Sequence, residues 1–127
     1  MILALPFLLA AFAGPDPAPA LDAVKTCDRG AMMALTRAEP RRRAEWAAAA
    51  YAEQQGIARE RGALLAPGTA ATTAAGKAGF DLALTGLDAR QKQLDDARAV
   101  ELSWRALVDE LRADFLANCA QTKGGKD

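Results

Sequence analysis

Few side chains in this 127-residue sequence are suited to chemistry at neutral pH. There is no histidine and a single serine, Ser103, with no candidate base near it in sequence, so Ser-His-Asp and Cys-His nucleophiles are excluded. The carboxylate pairs Asp95 with Asp96 and Asp109 with Glu110 are adjacent residues, which point about 100° apart on a helix and do not converge for acid/base work. Gly76 and Lys77 mimic the end of a phosphate loop, but Ala71 and Ala78 stand where that motif needs glycine and a hydroxyl. No metal site and no cofactor are expected, and the reading is non-enzymatic. The reactive residues that remain are two cysteines, Cys27 and Cys119, without CxxC spacing. In an oxidising compartment an even count implies one disulfide, and closing a loop of about 90 residues would stabilise the fold by about 4 to 5 kcal/mol.

The compartment is indicated by the N-terminus. Residues 2–12 are apolar and uncharged and end in Ala11-Phe12-Ala13, whose two alanines are small residues where a signal peptidase needs them, so they are expected to form a secretory leader. The run is shorter than the about 20 apolar residues that cross a bilayer, and no stable membrane span is expected. Its n-region carries no Lys or Arg; a start further upstream would explain that, as would tolerance of the bare α-amino charge. The following Gly-Pro-Asp-Pro-Ala-Pro-Ala is expected to be an extended linker, with a second cleavage option after Ala20. The expected domains are a leader and linker over 1–20, a helical domain over 21–121 and a disordered tail over 122–127. Periplasmic or secreted localisation follows.

Sixteen basic and sixteen acidic residues cancel, which argues against nucleic acid as a partner. The sharpest charge feature is Arg41, Arg42 and Arg43, a candidate contact for anionic headgroups or an acidic protein surface. Glu39 with Arg43 and Arg41 with Glu45 are i,i+4 pairs that would moderate it.

These residues need helices to position them. Alanine supplies 32 of the 127 residues, about half of the apolar total, which favours helix over strand and implies a core of little bulk. The longest amphipathic stretch covers 87–119, about 33 residues or roughly 50 Å of helix. Its apolar stripe is read as Leu94, Ala97, Val100, Trp104, Leu107 with Val108, Leu111, Phe115 and Cys119. Before it, a first helix is expected over about 21–35 and a second from Thr36 to about residue 65, with Trp46 and Ile57 inward and Pro40 in its first turn. A small-residue connector fills 66–79. Thr36 with Glu39, and Thr85 with Asp88, are read as two helix caps.

The two cap regions, Leu-Thr-x-x-Glu at 35–39 and Leu-Thr-x-x-Asp at 84–88, resemble the LTxxQ motif of the small periplasmic helical proteins that include the Spy chaperone and the CpxP stress regulator. The resemblance covers about ten residues, with Glu39 and Asp88 in place of glutamine. It implies a curved helical cradle, with a dimer left open, that binds unfolded or envelope proteins.

The expected fold is all-α, a small disulfide-stapled bundle built on a long antiparallel helical hairpin. With the turn centred near residue 76, Cys119 would lie opposite about residue 33, so the first helix would have to cross the bundle to bring Cys27 within reach. The expected function is an exported interaction module with a protein partner in the envelope; an LTxxQ-type chaperone or stress regulator, an enzyme inhibitor and a homodimer stay open.

Overall fold

Asp28 opens the first of two long helices. Its backbone is extended, and its carboxylate accepts the Ala31 N–H at 3.0 Å, satisfying one donor of the new helix. The computed structural model describes residues 12–66 and 73–119. The elements are α1 (Ala18–Lys25), α2 (Arg29–Leu64, 36 residues) and α3 (Ala74–Asn118, 45 residues), with no strand among the described residues. At 1.5 Å per residue α2 and α3 run about 54 and 68 Å. Residues 1–11, read as most of a leader, 67–72, within the expected connector, and 120–127, which include the expected tail, lie outside the described residues.

The all-α, disulfide-stapled bundle is as expected, but the helix boundaries are not. Helix one starts at Ala18, inside the stretch read as linker, because Pro19 falls in the first turn, where no backbone donor is needed, and Asp16 Oδ1 accepts the Ala18 N–H at 3.0 Å. It stops at Lys25 rather than near Leu35. Asp28 N–H donates to the Ala23 carbonyl at 2.8 Å and Cys27 N–H to that of Val24 at 3.3 Å, a Schellman closure with Cys27 at φ 51° in the position glycine usually holds.

Neither Thr36 with Glu39 nor Thr85 with Asp88 is a cap. Thr36 lies well inside α2 and donates its hydroxyl to the Met32 carbonyl at 2.9 Å; Thr85 does the same to Asp81 inside α3. A hydroxyl satisfied by the preceding turn gives a helix no reason to start there. The caps are Asp28 and Thr73, whose Oγ1 accepts the Gly76 N–H at 3.1 Å. Pro40 accordingly sits deep in α2, where its ring removes the N–H that would bond the Thr36 carbonyl.

Cross-hairpin contacts set the register. Arg42 meets Glu101 and Arg90 meets Glu53, pairs centred on the connector, and Cys27 with Cys119 shares that centre. The cysteines therefore stand opposite each other at the open end, Cα atoms 5.3 Å apart across a sequence separation of 92, and no crossing helix is needed. The expectation of one came from placing the turn a few residues too late. α1 folds back on both long helices at that end.

The core is two clusters. At the disulfide end Ala20, Ala23, Met32, Trp104, Val108, Leu111 and Phe115 are buried together; nearer the connector are Ala50, Ile57, Leu87 and Leu94, with half-buried Trp46 and Phe12 against them. Along α3 the buried positions Leu87, Leu94, Ala97, Glu101, Trp104, Val108, Leu111 and Phe115 follow the alternating three-and-four spacing of a coiled-coil seam. Val100, expected on the stripe, is 47% exposed, and Glu101 takes its place at 4%.

Candidate binding groove

A polar layer separates the two clusters. Glu39 of α2 is buried, and its carboxylate accepts from Arg42 Nε at 2.7 Å, Arg43 Nε at 2.9 Å and the Trp104 indole N–H at 2.9 Å. Arg42 turns across the hairpin, with Nη1 and Nη2 at 2.8 and 2.7 Å from the two Glu101 oxygens, a bidentate fork. Glu101 also accepts from Arg105 at 2.7 Å. The arginines lie over aromatic faces, Arg42 at 5.8 Å from the Trp104 ring centre and Arg105 at 5.9 Å from that of Trp46.

Burial alone would raise the Glu39 carboxyl; the donors from Arg42, Trp104 and Arg43 outweigh it and hold the group at about 2. The Arg42 fork, against burial and with help from Arg105, lowers Glu101, while the two carboxylates raise Arg42 beyond its ordinary value. Glu39, Arg42 and Glu101 are thus held in their ionised forms.

This arrangement corrects the arginine patch. Arg42 and Arg43 are committed to Glu39 and Glu101, and only Arg41 is widely exposed, at 87% of its side chain, paired there with Glu45 at 2.9 Å. Three consecutive residues of a helix point in three directions, so the run is not one cationic surface.

Beside the layer, the seam opens into a groove. Its walls are Trp46 and Ala49 of α2 and Ala97 and Val100 of α3, with Arg42, Glu45 and Glu101 along one edge. Alanines at 49 and 97 leave the space that larger side chains would fill. The chain's own residues 12–15 lie here. The Phe12 ring meets Trp46 edge to face, centres 6.2 Å apart and planes at 73°. Gly14 passes so close that a Cβ on it would stand 2.8 Å from Val100 Cγ1. Even so a cavity of about 270 Å³ remains between this segment and the helices.

Of the core residues expected from sequence, Ile57, Leu94, Trp104, Leu111 and Phe115 are buried, and Trp46 is the half-buried groove wall. Asp88 faces the facing helix and accepts from Arg61 at 2.9 Å. Asp95 and Asp96 each take a basic partner on their own helix, Arg98 at 2.9 Å and Lys92 at 2.8 Å. Glu101 and Asp28 were not singled out beforehand. The seam spacing signals Glu101, an acid where a coiled-coil repeat calls for an apolar residue, with Arg105 four residues on. No known protein family, curated protein or solved structure matches this chain.

Proposed function

We propose that the protein is an exported, non-enzymatic interaction module whose groove receives an irregular apolar segment of an envelope protein, anchored by an aromatic ring on Trp46. The observation that carries this reading is that Phe12, Ala13, Gly14 and Pro15 occupy the groove without filling it. They serve as a template for the ligand: an aromatic residue for the Trp46 edge, then residues small enough to pass Val100. Trp46 is braced for this by Arg105, itself held by Glu101.

Export is supported by the leader-like run at 2–12 and by the Cys27–Cys119 disulfide. No helix among the described residues is long and apolar enough to cross a membrane. Cleavage after Ala13 is the option that fits the fold, since a cut after Ala20 would remove the first three of the eight residues of α1, the buried Ala20 among them. It would also release Phe12 and free the Trp46 wall for a partner.

The test is titration of the chain starting at Gly14 with a peptide covering residues 7–16, followed by tryptophan fluorescence and calorimetry. Saturable binding that is lost in Trp46→Ala and in a peptide with Phe12→Ala supports the proposal. Absence of binding, or binding indifferent to both changes, refutes it. Mass spectrometry of the N-terminus of the exported protein tests the cleavage site separately.

A further inference from the structure

A second cleft lies at the disulfide end of the hairpin, away from Trp46, with a volume of about 280 Å³. Its floor is apolar. Met32 and Phe115 are buried beneath it, and Met33 and Leu116 stay 46 and 63% exposed at its mouth. Its rim is cationic: Arg37 comes from α2 and Arg112 from α3, with Arg29 in the first turn of α2, and among the described residues no carboxylate lines it.

Arg37 and Arg112 make no hydrogen bond or ion pair among the described residues, whereas Arg42, Arg43, Arg90 and Arg105 are all held by carboxylates. The Thr36 hydroxyl, also on the wall, already donates its proton to the Met32 carbonyl and has only lone pairs left, so an anion finds its donors in the guanidinium groups. Free guanidinium groups above exposed apolar surface match a ligand with an anionic head and an apolar tail.

We propose that this cleft binds a single-chain anionic amphiphile, an acyl chain bearing a carboxylate or phosphate, with the tail along Met33, Phe115 and Leu116 and the head between Arg37 and Arg112. A free molecule fits better than a bilayer. The cleft is a bounded notch near the lower end of the about 300 to 1,000 Å³ range of small-molecule sites. The exposed Asp109, Glu110 and Asp114 on the same end of α3 would also repel an extended anionic surface.

The experiment titrates the full, oxidised chain by calorimetry with decanoate, decyl phosphate, 1-decanol, inorganic phosphate and phosphatidylglycerol vesicles. One saturable site is expected for decanoate and for decyl phosphate, with 1-decanol at least about tenfold weaker and inorganic phosphate silent. Arg37→Gln and Arg112→Gln should each weaken decanoate about tenfold, and the pair more, with unchanged melting because neither side chain has a partner to lose among the described residues. Leu116→Asp, at an exposed position, gives a second variant and should abolish binding of both anions. Trp46→Ala should leave decanoate binding intact, which separates this cleft from the groove. Equal affinity for 1-decanol and decanoate, unchanged binding in the double arginine variant, or binding to vesicles but to no monomeric amphiphile would each overturn the proposal.

Discussion

Replacing Glu39 by glutamine tests the polar layer directly. Glutamine keeps the size of the side chain and an oxygen for the Trp104 indole, but it removes the charge that Arg42 and Arg43 bracket. The carboxyl drops from an ordinary 4.5 to about 2 in the folded chain, which at about 1.4 kcal/mol per pH unit is worth about 3 kcal/mol at neutral pH. Glu39 is 7% exposed, so little of this is screened by solvent. The folded value lies below the unfolded one, so the stabilisation is complete well above pH 4.5 and is lost as the pH falls through about 2.

Urea unfolding followed by circular dichroism is the suitable assay, because urea adds no ions. At pH 7 Glu39→Gln should lower the unfolding free energy by about 3 kcal/mol, and at pH 2.5 the deficit should shrink to under about 1 kcal/mol. Glu101, lowered in the same direction by Arg42 and Arg105, adds to the acid sensitivity of both proteins and largely cancels from their difference. A deficit of the same size at both pH values would refute this account, because it would show that shape rather than charge had been lost.

Three further outcomes follow from the backbone and the staple. Reduction with a phosphine should lower stability by about 4 to 5 kcal/mol, since the bridge spans 92 residues, and hydrogen exchange should speed up first in α1. In a Cys119→Ala background, Cys27→Gly should be more stable than Cys27→Ala by about 1 kcal/mol in urea melts, because the position has φ 51°. Pro40→Ala should raise stability by about 1 to 3 kcal/mol and the thermal midpoint with it, by restoring the helical bond to the Thr36 carbonyl.

The fold class, the pairing of the cysteines and most of the core were legible in the sequence, because alanine content, an even cysteine count and apolar spacing are strong one-dimensional signals. The helix starts were not. Thr36 with Glu39 has the residue types of a capping box, yet a threonine hydroxyl is satisfied equally well by the carbonyl four residues back, and tertiary contacts decided between the two. Asp28 does what Thr36 was expected to do, and the short break it terminates, Thr26 to Asp28, contains neither glycine nor proline to mark it. The groove was invisible for a different reason. It exists where Ala49 and Ala97 come opposite each other across the hairpin, a coincidence of register that no local pattern encodes.

Register is also what the polar layer is suited to specify. An apolar seam with three-and-four spacing tolerates sliding by one repeat, since one small or aliphatic residue replaces another. Glu39 does not tolerate it. In the observed register it faces the Trp104 indole, and Arg42 of the same helix reaches Glu101. A slip of seven residues would set Glu39 against Ala97 or Leu111 and Arg42 against Leu94 or Val108, losing both the Trp104 donor and the cross-hairpin Arg42–Glu101 ion pair, at about 3 to 5 kcal/mol. That penalty rivals the contribution of the disulfide, and it acts before the disulfide forms, because only the correct register brings Cys27 and Cys119 opposite each other. The charged layer therefore aligns the hairpin, the aligned hairpin places the cysteines and opens the alanine-lined groove, and Arg105, held by Glu101, braces Trp46 at the wall of that groove.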